Sequence, residues 1–281
     1  MKFLRFGEKG QEKAGLLDQD GCIRDLSDIV QDIDGVFLEQ TLPSLLKNID
    51  ISSLKIVDPN VRIGACLNRV GKFICIGLNY SDHAQEVGIE PPQEPVVFNK
   101  WTSAISGPHD NIELPRAATK TDWEVELGVI IGKSGKYISV EDAMTHVAGY
   151  CVVNDVSERV FQLERGGSWD KGKGCDSFGP IGPYLVTRDE IADPHQLGLW
   201  LEVDGVRYQN GTTANMVFKI PDLIHYLSQF MSLQAGDIIA TGTPAGVGAG
   251  QNPPTFLQAG QIVRLGIDGL GEQSQVVVAA S

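Results

Sequence analysis

The chain reads as an α+β protein that is mainly β, and three observations carry that reading. Apolar runs of strand length recur along most of its 281 residues, glycine-rich connections separate them, and one long stretch shows clear helical spacing. So many strands with so few helices do not fit the regular alternation of a parallel α/β fold.

The first ~70 residues form a small β-rich unit. Lys2-Phe3-Leu4-Arg5-Phe6 alternates, and Ala14–Leu17 and Cys22–Leu26 flank the turn Asp18-Gln19-Asp20-Gly21. A short helix is expected over Pro43 to Lys47, and Asp58-Pro59-Asn60 is a turn. The expected division is therefore 1–70 as an N-terminal β-rich domain and 71–281 as the domain that holds the candidate chemistry. From Phe73 the apolar runs lengthen. Strands are predicted at Phe73–Gly77, Val96–Phe98, Glu124–Ile131, Ala148–Val153, Tyr184–Val186, Leu199–Val203, Ile238–Ala240, Ile262–Ile267 and Val276–Val278. Val203-Asp204-Gly205-Val206 predicts a two-residue type I′ hairpin. Pro221 to Met231 is the clearest helix: Pro221 suits the first turn, and Ile220, Leu223, Ile224, Leu227, Phe230 and Met231 form one apolar stripe.

Hydrophobic content of 42% and charged content of 21% are those of a globular protein. A formal charge of −13 argues against non-specific nucleic-acid binding and against docking on anionic lipid. The first seven residues lack the apolar stretch of a signal peptide, and no run approaches a membrane span. The five cysteines form no CxxC pair, so free thiols in a reducing cytoplasm are expected.

The segment Asp122-Trp123-Glu124-Val125-Glu126-Leu127-Gly128 is the most informative. On a strand, Glu124 and Glu126 share one face, and two carboxylates side by side repel unless a cation lies between them. A hard divalent ion such as Mg²⁺ suits those oxygens, and Asp155 at the end of another apolar run could add a third. The alternative is a half-buried strand with a wet acidic face. His83 and Glu86, three residues apart on a short helix, could pair so that the carboxylate orients the imidazole and raises its basicity; a solvated helix face is the bland alternative. Asp155, Arg159 and Gln162 follow at spacings of four and three and could share a face leading into a pocket. There Arg159 could clamp a substrate carboxylate, or merely salt-bridge a helix start. Lys171 and Lys173 lie among glycines, and the loop Thr241–Gly248 could offer backbone N–H groups to an anion without matching a Walker loop or GxGxxG. The other four histidines lack ligand spacing and read as structural or surface residues.

In order, Ile76-Gly77-Leu78-Asn79-Tyr80-x-x-His83-x-x-Glu86, Pro95–Lys100, Asp122–Leu127, Asn154-Asp155-Val156-Ser157-x-Arg159-x-x-Gln162, Lys173–Pro180 and Gly236–Gly248 resemble the fumarylacetoacetate hydrolase family. The resemblance runs from about Phe73 to the C-terminus, and the N-terminal unit is similar to the small leading domain of many members. It implies the family's mixed β-sandwich or roll. It implies Mg²⁺, or Mn²⁺, held by Glu124, Glu126 and Asp155. His83 and Glu86 would then be the water-activating pair on a lid. Lys173, rather than Lys171, would be the active-site lysine, and Arg159, Gln162, Lys100, Gly242 and Thr243 would bind a small anionic keto acid. A homodimer is also implied.

The pattern is most similar to a subgroup hydrolysing 2,4-diketo-3-deoxy sugar acids, derived from L-rhamnonate or L-fuconate, to pyruvate and a hydroxy acid such as lactate. The same site would suit an acylpyruvate hydrolase, an oxaloacetate decarboxylase, a 2-keto-4-enoate hydratase, a keto-acid isomerase or a ureidoglycolate lyase; outside enzymes, a binding module is the rival.

Overall fold

A computed structural model describes residues 1–280. Among them, nine strands form one mixed sheet in the spatial order Ile23–Asp25, Lys13–Leu17, Lys2–Phe6, Leu185–Thr187, Val147–Asn154, Val125–Ile131, Ile238–Ala240, Phe73–Gly77 and Val96–Lys100. A second sheet runs Val206–Thr212, Gly198–Val203, Ile262–Ile267, Gly271–Ala279 and Ile112–Leu114. The mainly β reading stands. Predicted strand positions hold to within a few residues, apart from Val276–Val278, the end of the longer strand Gly271–Ala279. Ile112–Leu114 was not foreseen, because three residues carry too little pattern.

The N-terminal residues do not build a separate sheet. Lys2–Phe6 pairs antiparallel with Leu185–Thr187, so three leading strands extend the large sheet at one edge. The turn at Asp18–Gly21 forms as expected, with the Asp18 carboxylate accepting from the N–H groups of Asp20 and Cys22. The expected Pro43–Lys47 helix spans Leu42–Asn48.

Alternation along Val125–Ile131 decides what each face touches. Val125, Leu127, Val129 and Ile131 enter a core shared with Leu199, Leu201, Val263 and Leu265 of the second sheet and with the Ile220–Phe230 helix. On the other face Ile130, with Cys151 and Val153 of the neighbouring strand, joins a core under Phe37 and Leu42. The sheet is covered on both sides, so the wet acidic face considered above does not exist: Glu124 is 5% exposed and Glu126 1%.

The Asp204-Gly205 hairpin has φ of 50° and 79° at its two turn residues, the double left-handed pair that type I′ needs. The Ile220–Phe230 helix carries Pro221 in its first turn and buries Ile220, Leu223, Ile224 and Leu227. Phe230, placed in the stripe by spacing, is 64% exposed; it closes the helix past the edge of the core and leans on the Tyr226 ring at 4.9 Å. His195 accepts the Ile220 N–H at 3.1 Å and caps that helix, and the imidazoles of His146 and His225 bond backbone carbonyls. All five cysteines are free.

Candidate active site

Strand register brings the acidic residues together. Val153 stands opposite Glu126 and Asn154 opposite Val125, so the chain leaving the Val147–Asn154 strand puts Asp155 beside Glu124; the Asp155 N–H donates to the Glu124 carbonyl at 2.9 Å. Carboxylate oxygens of Glu124, Glu126 and Asp155 lie within 4.8 Å of one another, all buried.

Three cations face these three anions. The Lys173 ammonium donates to Glu124 at 2.6 Å and to Asp155 at 2.8 Å, Lys100 donates to Asp155 at 2.5 Å, and Arg159 donates to Glu124 at 2.7 Å. Burial disfavours the Glu124 anion, yet Lys173 and Arg159 outweigh it and hold its pKa down to about 2. Those same carboxylates keep the buried Lys173 charged, with its pKa raised. Glu126 differs. Its carboxylate accepts the Gly242 N–H at 2.9 Å, and burial together with Asp155 and Glu124 pushes its pKa well above the usual range. An all-oxygen donor set with one carboxylate poorly matched by cations fits a hard divalent ion, so Glu124, Glu126 and Asp155 are suited to hold Mg²⁺ or Mn²⁺.

The glycine-rich loop after Ile238–Ala240 does offer N–H groups to anions, but the anions belong to the chain itself. Gly242 N–H serves Glu126, Gly246 N–H serves Glu86 at 2.9 Å, and Gly248 and Ala249 N–H serve Asp122 at 2.6 and 3.0 Å. Gly246 has φ of 109°, and a Cβ there would lie 2.1 Å from the Tyr208 carbonyl oxygen, so glycine is required. Asn79 ties this loop to the segment after Phe73–Gly77, donating to the Thr241 carbonyl at 2.8 Å.

His83 and Glu86 sit on the short helix Ser81–Glu86, with His83 Nδ1 2.9 Å from a Glu86 carboxylate oxygen. Glu86 is held at its other oxygen by Gly246, and the His83 imidazole lines the cavity. Arg159 and Gln162 share the helix Arg159–Leu163 and bond each other at 3.0 Å. Asp155 is not on that helix: an extended Ser157–Glu158 step intervenes, so the three-residue face inferred from spacing is two residues plus a strand end. Arg159 also makes two bonds to Asp122, at 2.9 and 2.7 Å, so its guanidinium serves the protein's own acids.

A cavity of about 250 Å³ contains Glu124, Glu126, Arg159, Gln162, Lys173, Thr243 and His83 on its wall. Lys100 and Gly242 stand behind that wall, Lys100 fully buried against Asp155 and the Val156 carbonyl. Thr243 donates to the Val125 carbonyl and accepts from Gln209, which holds its hydroxyl in place. Lys171 reaches outward to the Arg165 carbonyl, while Lys173 lies inside with its ammonium 5.0 Å from the Phe98 ring centre.

Asp122 and Asn79 stood in the matching motifs without a role. The signal for Asp122 was the run of three acids at alternate positions, but its work depends on a loop 126 residues away. Replacing it with alanine leaves Arg159 half-paired and frees two loop N–H groups. A loss of about 3–5 kcal/mol is expected, seen as a melting temperature lower by roughly 10 °C; an unchanged thermal denaturation curve would contradict this.

The profile of the fumarylacetoacetate hydrolase C-terminal family matches residues 72–278. A Burkholderia ambifaria protein named only as a hydrolase is 62% identical over 276 residues, which is 98% of both chains. The solved fumarylacetoacetate hydrolase of Exiguobacterium antarcticum superposes with a TM-score of 0.89 at 35% identity, and maleylpyruvate hydrolase of Sphingobium sp. SYK-6 with 0.83 at 30%, each covering 100% of both chains. With the acidic triad, the paired imidazole and this coverage in hand, the chain belongs to the fumarylacetoacetate hydrolase family.

Proposed function

We propose that the protein is a metal-dependent hydrolase that cleaves a carbon–carbon bond in a 2,4-diketo acid. Pyruvate is one product, and a hydroxy acid such as lactate is the other when the substrate is a 2,4-diketo-3-deoxy sugar acid. The observation that carries this reading is His83, paired with Glu86 at 2.9 Å, on the same cavity wall as Glu124 and Glu126 of the acidic triad. Decarboxylation needs no activated water, whereas hydrolysis does.

Glu124, Glu126 and Asp155 would hold the divalent ion, which supplies Lewis-acid polarisation of a keto oxygen. Glu86 keeps the His83 ring oriented and stabilises its protonated form, so Nε2 can take a proton from water as the oxygen attacks the C4 carbonyl. The C3–C4 bond then breaks, and C3 of the departing three-carbon unit takes up the proton to give pyruvate; Lys173, its ammonium already fixed by Glu124 and Asp155, would offset the negative charge that develops there with little reorganisation. Gln162 offers a neutral amide for orientation, and Thr243, its hydroxyl held by Val125 and Gln209, shapes the wall. The maleylpyruvate hydrolase neighbour supports hydrolysis of a pyruvate-bearing substrate.

The test is pyruvate release from acylpyruvates, 2,4-diketo-3-deoxy sugar acids and oxaloacetate, each with Mg²⁺ or Mn²⁺ and with EDTA. Metal-dependent pyruvate plus the matching acid is expected from a diketo acid. Turnover of oxaloacetate alone would replace the reading with a decarboxylase. Light scattering on the same sample tests the implied homodimer, expected at twice the chain mass.

A further inference from the structure

The cavity has two chemically distinct halves. Its inner half holds Glu124, Glu126, Arg159, Lys173 and His83, with Phe98 beside Lys173, while the outer half, the wall toward solvent, is made by Leu78, Val87, Ile89, Leu163 and Trp169. Val87, Ile89 and Leu163 are 39%, 52% and 60% exposed, so these apolar side chains open onto the cavity without a core to enter. Trp169 is built into the wall: it packs edge-on to Phe98 at 5.3 Å, and it lies so close over Gly77 that a Cβ there would sit 2.6 Å from the ring. Leu78 is held at φ of 55°, an uncommon conformation for a leucine, at the start of the segment that carries His83.

Charge reinforces the division. Among the described residues lining the cavity, the cations are Arg159 and Lys173, and both are bonded to carboxylates at the inner end. The neighbouring acid on the helix side, Glu86, is held beside His83. A second carboxylate in the outer half would therefore lie against apolar side chains and meet no counter-ion among the lining residues.

We propose that this outer half is a specificity subsite for an uncharged, methyl-terminated acyl group, and that it discriminates against substrates carrying a second carboxylate. The proposal rests on the keto-acid reading above. A lactoyl end, with one hydroxyl and a terminal methyl, meets the requirement, as do short alkanoyl ends. A succinyl end does not. Since pockets separate substrates by about 10–200-fold per apolar group and more strongly where a polar group goes unpaired, a preference of about 10²-fold in kcat/KM is expected for butanoylpyruvate over succinylpyruvate.

The experiment has two arms. One measures kcat/KM for acetyl-, butanoyl-, lactoyl- and succinylpyruvate. The other measures affinity, by thermal shift with saturating Mg²⁺, for 2-oxohexanoate and 2-oxoadipate, which share a keto-acid head and differ at the far end. Leu163→Arg, a change at an exposed position, is run beside the natural chain and should narrow both preferences by tenfold or more. Equal affinity for the two oxo acids, or a Leu163→Arg variant that keeps the full preference, overturns the subsite. If 2-oxohexanoate binds better but no acylpyruvate is cleaved, the subsite stands and the hydrolase reading falls. If acylpyruvates are cleaved but both oxo acids bind alike, the reverse holds.

Discussion

Replacing His83 with alanine is expected to lower kcat by about 10²–10⁴-fold, the usual contribution of a positioned general base. The side chain is 9% exposed, its Nδ1 is engaged by Glu86, and its ring lines the cavity. The variant should fold, because the short Ser81–Glu86 helix is also held by Asn79, whose amide bonds the Thr241 and Phe218 carbonyls. Metal affinity should be retained, since His83 is not among the three clustered acids. Glu86→Gln should give a smaller loss in the same direction, because the amide still orients the ring but no longer stabilises its cation. Steady-state kinetics with Mg²⁺ checks both. Unchanged turnover in His83→Ala would remove it from the reaction.

The second large effect is expected at Glu126. Glu126→Gln keeps the shape and the Gly242 hydrogen bond but removes a buried acid whose charged form lacks the close cationic contacts of Glu124 and Asp155. The variant without metal should therefore melt at or above the temperature of the natural chain, as buried charges removed isosterically are often neutral or stabilising. Metal linkage should vanish with it. At 100 times its dissociation constant, a metal that binds only the folded state adds about 2.7 kcal/mol, or roughly 5–10 °C in melting temperature for a chain of this size. The natural protein should show that rise with Mg²⁺ and the variant should not, while activity falls by at least about 10²-fold. Activity surviving in EDTA, or an undiminished Mg²⁺ shift in Glu126→Gln, would sink the metal assignment.

The opposite behaviour of neighbouring acids shows what pairing does. Glu124, touched by Arg159 and Lys173, stays ionised with a pKa near 2, while Glu126, two residues on, is pushed upward. Both are buried, so the difference is the reach of the cations and not solvent.

Much of the framework was legible in the residues because it follows from local periodicity. Apolar runs located the strands, Asp204-Gly205 located the hairpin, and the stripe from Ile220 to Leu227 located the long helix. The alternation of Glu124 and Glu126 and the three-residue step from His83 to Glu86 likewise depend on a few neighbouring residues, and both pairs lie where that spacing puts them. What an alternating strand meets on each face is not local. Only packing on both sides of the large sheet turned an acidic strand from a surface feature into a buried ion-pair cluster. Partners were equally out of reach: Asp155 meets Glu124 through strand register, Asp122 clasps a loop 126 residues later, and Lys173 turns inward while Lys171 turns out. Spacing along one element predicts which side chains share a face. Which charge answers which is decided by the register and burial of elements far apart in the chain, and these exist only once the sheets have closed on each other.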